Sequence, residues 1–192
     1  GTFSGPSFCT SPLIIETKPR EYSLENAWRV DWVLRYAQQH KMYAHVVLDS
    51  WPQEMRGGEW NFSVFNQKNG GPLKQPFAMF DSLSSSVTDM WLQRMAYIGA
   101  RFGAFQSVLG WELINEPDTP YMYSSKAMKQ QYPQLQKFPM ETFIPWIQQL
   151  ARALAAADQG EHLMTTNFAS GSNMKKLTKL PEMTFLASHD YQ

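Results

Sequence analysis

Apolar residues recur at helical spacing in three stretches of the chain, separated by short runs that are hydrophobic at almost every position. Ala27, Val30, Val33, Leu34 and Ala37 predict a first helix ending near Gln39. Ser23 suits its N-cap, with Glu25 in the first turn. Trp91, Met95, Ile98, Phe102 and Phe105 predict a second helix, ending near Gly103. Ser86-Val87-Thr88-Asp89 ahead of it matches a capping box with Asp in place of Glu. Phe143, Ile147, Leu150, Ala151 and Leu154 predict a third, with Thr142 as the expected cap. Pro145 falls in its first turn, where amide hydrogens lack helical partners anyway.

The apolar runs at 42–48 (MYAHVVL), 108–115 (VLGWELIN) and 163–169 (LMTTNFA) read as buried strands, and 184–188 begins another. A short helix is expected within 172–180, and residues 1–22 read as a loop. Strict alternation of strands and helices means a parallel sheet with right-handed crossovers, so the fold class is α/β. A doubly wound sheet and a (β/α)8 TIM barrel both fit that alternation. No Gly-x-Gly-x-x-Gly or Walker A sequence follows a strand, which removes the strongest reason for a nucleotide-binding sheet. The expected architecture is an incomplete barrel, with roughly strands 3 to 6 present and later strands missing. Residues 1–192 are read as one domain with a long βα loop at 51–86, whose aromatics argue against disorder.

Composition narrows the partners. Seventeen basic residues balance 17 acidic ones. That balance argues against nucleic acid, because phosphate binding needs a basic surface. It gives no support to a polybasic membrane contact, and no apolar run approaches the roughly 18 residues of a membrane span. The single cysteine, Cys9, rules out an internal disulfide and a multi-cysteine zinc site. Aromatic residues make up 14% of the chain, a supply of flat faces that suits sugar rings as well as a core.

The stretch that carries chemistry is Gly110-Trp111-Glu112-Leu113-Ile114-Asn115-Glu116-Pro117. A strand ending in Asn-Glu-Pro puts two polar side chains at its carboxyl end, the face where barrel active sites lie. One given tripeptide arises by chance in roughly 2% of chains this long, at about 5% usage per residue. Neighbouring strand residues point to opposite faces, so a bulge or sharp turn is needed for Asn115 and Glu116 to share a cleft.

This segment resembles the fourth strand of the clan A glycoside hydrolases, which include the family 5 cellulases and mannanases. Asn69-Gly70-Gly71-Pro72, residues 77–81 and residues 94–103 are similar to a cellulase-like branch of that clan. The resemblance covers about residues 24–191 in element order and is specific across about 42–117. It implies that Glu116 is the general acid/base of a retaining β-glycosidase and that Asn115 holds the sugar 2-hydroxyl. It assigns Tyr191 to a hydrogen bond with the nucleophile and His189 to the sugar subsite. The nucleophile, a Glu ending strand seven in that clan, lies outside this stretch, so the fragment by itself is expected to be inactive. No cofactor and no metal are implied. The partner is a β-linked carbohydrate of the cellulose or mannan kind, a polysaccharide substrate that points towards export.

Trp51 and Trp60, in the long loop, are candidates for stacking on a sugar. Glu112 is expected in the barrel interior against an arginine, His45 as a core or supporting histidine, and Arg94 and Arg101 as structural ion-pair partners. Asp49 and Asp118 are further candidate cleft carboxylates. Two other readings remain open. One is a metal-dependent hydrolase on a barrel, with ligands among His45, His189, Asp49 and Glu116. The other is a carbohydrate-binding barrel without catalysis.

Overall fold

The computed structural model describes residues 15–50, 59–80, 85–187 and 189. Trp51 and Tyr191 lie outside the described residues.

The first elements among the described residues form an antiparallel hairpin, β1 (Glu16–Lys18) and β2 (Glu21–Tyr22), within the stretch where a loop was expected. Arg20 turns it with φ 68°. Its amide hydrogen donates to Glu16 Oε1 at 2.9 Å, a partner that compensates the left-handed backbone. Helix α1 (Leu24–Gln39) follows, and Ser23 Oγ accepts from Asn26 N at 3.2 Å, the predicted cap. The parallel strands are β3 (Ala44–Val47), β4 (Val108–Glu112) and β5 (Leu163–Thr165), paired in the order β3-β4-β5. Helix α2 (Ser85–Phe102) crosses from β3 to β4, and α5 (Met140–Ala157) crosses from β4 to β5. Between β4 and α5 lie α3 (Thr119–Tyr123) and α4 (Lys126–Gln131); α6 (Gly171–Leu177) follows β5.

Helices α2 and α5 pack together, with Trp91 and Trp146 edge to face at 5.3 Å. Strand alternation then decides which side chains meet them. Trp111 turns to this layer and its Nε1 donates to Asp158 Oδ2 at the end of α5, at 3.0 Å. Its neighbour Glu112 turns to the opposite face. That face of the sheet carries the candidate chemistry.

Several expected boundaries move. Met140 starts α5 two residues before Thr142, because Pro139 O accepts from the Thr142 and Phe143 amides and so forms the first turn. Thr142 is therefore a helical residue and not the cap. Ser85 starts α2, which places Ser86 inside it. Strand β3 is half-buried along its length, being an edge of the described sheet, while Leu48 and Asp49 beyond it are fully covered. The expected strand from 184 has no regular pairing among the described residues. The segment is held at Met164 instead, where Thr184 Oγ1 accepts from Met164 N at 2.7 Å in place of a backbone carbonyl. The described part of the long loop, 59–80, is packed: Val64, Phe65, Leu73, Met79 and Phe80 are all buried.

Among the described residues the architecture is thus mixed α/β, with the parallel strands in a three-stranded sheet. Among the described residues, no helix is long and apolar enough to cross a membrane.

Candidate functional site

The ladder runs on past β4. Asn115 pairs with Ser50 in an isolated parallel bridge, and its amide donates to Asp49 O at 2.8 Å. Glu116 then takes φ 48°, the left-handed region that side chains with a Cβ rarely adopt. This is the sharp turn that the Asn-Glu alternation demands, and the conformation costs about 1 kcal/mol or more. Glu116 N, freed from the ladder, donates to Asn167 Oδ1 at 2.8 Å.

The Glu116 side chain is 10% exposed. Its Oε1 lies 2.5 Å from His189 Nδ1, and its Oε2 accepts from Thr119 Oγ1 at 3.2 Å. Asn115 Nδ2 donates to Ser50 Oγ at 3.2 Å, and Asn115 Oδ1 accepts from Asn167 Nδ2 at 3.2 Å. The adjacent Asn115 and Glu116 and the distant His189 therefore belong to one hydrogen-bonded cluster at the carboxyl ends of β4 and β5.

Glu112 lies beneath this cluster, two residues of the pleat deeper than Ile114 and on the face opposite the helices. The expected arginine is not its partner. Asn167 Nδ2 donates to its Oε1 at 2.6 Å, and His45 Nε2 stands 3.3 Å from its Oε2 without hydrogen-bond alignment. Burial pushes the Glu112 carboxyl up to about 7, and the Asn167 hydrogen bond acts against that rise. Burial also lowers His45 from its ordinary value, which leaves a neutral imidazole beside Glu112 near neutral pH.

The other two candidate carboxylates are not available to a cleft. Asp49 is fully buried, and Arg94 Nη1 donates to its Oδ2 at 2.6 Å. The same guanidinium donates to Glu16 Oε2 at 2.7 Å and lies over the Phe65 and Trp91 rings at 5.0 and 4.8 Å. Arg94 thus ties the hairpin, β3 and α2 together, the structural role expected for it. Arg101 likewise pairs with Asp31 across α1 and α2. Asp118 is fully buried too. Its Oδ1 accepts from Ala169 N at 2.8 Å, and its Oδ2 from Ser170 N at 3.1 Å and Asn173 Nδ2 at 3.0 Å. It latches the loop after β4 to the loop after β5.

Trp60 is half-buried against the core and lines an open depression of about 380 Å³ with Asn61, Asn66, Gln67, Lys68 and Lys74. None of these residues belongs to the Glu116 cluster. No group of three or more His, Cys, Asp or Glu among the described residues could hold a metal ion, and Asp49 is committed to Arg94.

Asn167 is the residue that sequence reasoning missed. It is fully buried and touches every other member of the cluster. Its signal was present: Thr165-Thr166-Asn167 turns an apolar strand polar at its carboxyl end, the same end at which Asn115 and Glu116 stand.

No protein-family model matches the sequence, and no curated protein matches it. Among solved structures, the chain is similar to endo-glycoceramidase II from Rhodococcus sp., solved as a lactosyl-enzyme intermediate. The TM-score is 0.53 at 15% identity, over 83% of this chain and 40% of that one. The chain thus spans less than half the length of this TIM-barrel glycosidase. The likeness is one of fold.

Proposed function

We propose that this chain carries the acid/base half of a retaining β-glycosidase site, with Glu116 as the general acid/base. The observation that carries the reading is the placement of a sheltered Glu116 carboxyl at the strand end, beside Asn115 and in contact with His189. In the first step Glu116 gives its proton to the glycosidic oxygen as the bond to the anomeric carbon breaks. A second carboxylate, supplied from outside this chain, attacks that carbon and forms a glycosyl-enzyme. In the second step Glu116 takes a proton from water, whose oxygen displaces the carboxylate and releases the sugar. The Asn115 amide holds the 2-hydroxyl, a hydrogen bond that strengthens in the transition state. His189 lines the same subsite, and Trp51, Trp60 and Tyr191 complete the proposed sugar-contacting set. The substrate is a β-linked oligosaccharide or polysaccharide of the glucan or mannan kind.

The test is Glu116→Gln in the intact protein, assayed on β-glucan, β-mannan and a lactosyl glycoside. Turnover on unactivated substrates should fall by about 10²-fold or more, with ligand binding largely kept. Unchanged turnover would remove Glu116 from the mechanism and with it the glycosidase reading.

A further inference from the structure

The Asn167 side chain has one chemically permitted orientation. The Glu116 backbone N–H can only donate, so the atom facing it at 2.8 Å is the amide oxygen. The amide nitrogen therefore faces Glu112 Oε1 at 2.6 Å, His189 Nε2 at 3.1 Å and Asn115 Oδ1 at 3.2 Å. An amide nitrogen carries two hydrogens and accepts nothing. The shortest contact takes one of them, to Glu112. The other is shared between Asn115 and His189.

The consequence falls on the imidazole. A ring nitrogen opposed by an amide N–H₂ must present its lone pair, since a hydrogen there would meet hydrogens. His189 Nε2 is thus the acceptor, and the ring proton sits on Nδ1, which points at Glu116 Oε1 at 2.5 Å. The same amide group holds the Glu116 backbone in its left-handed turn.

We propose that Asn167 is the positioning residue of this site: its oxygen clamps the Glu116 backbone, and its nitrogen fixes His189 as the tautomer that donates to the Glu116 carboxyl. Asn167 touches no substrate in this account. It acts through Glu116 and His189, and only its effect on turnover rests on the glycosidase reading.

The experiment needs no catalysis. The chain has four histidines, and selective ¹⁵N labelling resolves the two ring nitrogens of each by NMR. In the intact protein at neutral pH, His189 should show a protonated Nδ1 and a lone-pair Nε2. Asn167→Asp keeps an acceptor for the Glu116 N–H but turns the other atom into an acceptor. The lone-pair Nε2 signal should then disappear as that nitrogen takes up a proton. A wild-type His189 protonated on Nε2 alone, or a ring spectrum unchanged in Asn167→Asp, overturns the assignment. The backbone clamp is read separately, as slow hydrogen exchange at the Glu116 amide in wild type; fast exchange there overturns that half, whether or not any variant folds. In activity assays Asn167→Asp should lower kcat by about tenfold or more with a smaller change in KM, since small displacements of a catalytic group are costly. If Glu116→Gln leaves turnover unchanged, the glycosidase reading fails while the NMR result still decides the hydrogen-bond assignment.

Discussion

His189 Nδ1 and Glu116 Oε1 meet at 2.5 Å across 73 residues of sequence. The contact brings a strand-end carboxyl and a residue from the last described segment into one unit. His189→Ala removes the donor to Oε1 and leaves Thr119 Oγ1 on Oε2. If Glu116 is the acid/base proposed above, kcat in the intact protein should fall by about tenfold or more with a smaller effect on KM, because the carboxyl would lose its orientation while the substrate contacts stay. Initial rates over a substrate range give the split, and an unchanged kcat would show that the contact does not serve turnover.

Glu112 makes stability depend on pH in an unusual direction. Its carboxyl is raised from 4.5 to about 7 in the fold, chiefly by burial. The native state therefore holds a proton that the unfolded chain has released between those values. The favourable contribution is complete below about 4.5 and is lost as pH rises towards 7. At about 1.4 kcal/mol per pH unit, the full loss is about 3 kcal/mol. Glu112→Gln keeps an acceptor for Asn167 and cannot ionise. Urea midpoints at pH 5 and pH 8 should fall less in the variant than in wild type; parallel falls would refute the assignment.

Arg94 neutralises two carboxylates that have no access to water. Glu16, Asp49 and Arg94 are each 0% exposed. Arg94→Met leaves two buried charges facing each other, and we expect a loss of about 3 kcal/mol or more by chemical denaturation. Neutralising the acids as well, in Arg94→Met/Glu16→Gln/Asp49→Asn, should restore part of that stability, since the cost comes from uncompensated charge. A triple variant less stable than Arg94→Met would contradict this account.

Asp118 accepts from two backbone amides in the loop after β5 and from the Asn173 side-chain amide in α6. Burial raises its carboxyl above the ordinary value, and those hydrogen bonds act against the rise. Asp118→Asn turns one acceptor atom into a donor facing other donors. The expected cost is about 2 kcal/mol, with faster hydrogen exchange at Ala169 and Ser170. Unchanged exchange at both amides would show that the latch does not hold the loop.

The parts of the fold legible in the sequence are those whose causes lie close along the chain. Ser23 caps α1 through a residue three positions on, and the apolar stripes of α2 and α5 need only helical periodicity. The Asn-Glu-Pro strand end demanded a sharp turn, and that turn stands at Glu116. The β1–β2 hairpin escaped because five residues carry too little alternation to announce two strands.

The polar end of an apolar strand marked Asn115 and Glu116 as candidates, because polar groups there conflict with an apolar core, whereas His189 was marked only by the resemblance to the clan A glycoside hydrolases. Which carboxylates stay near solvent was a matter of tertiary structure alone. Asp49 and Asp118 resemble Glu116 in sequence position, each just past a strand, yet partners 45 and 51 residues away bury them. Asn167 entered the cluster the same way, through a donor 51 residues back. Local periodicity acts over a few residues, whereas burial and the choice of hydrogen-bond partner are settled only when distant strand ends are brought side by side.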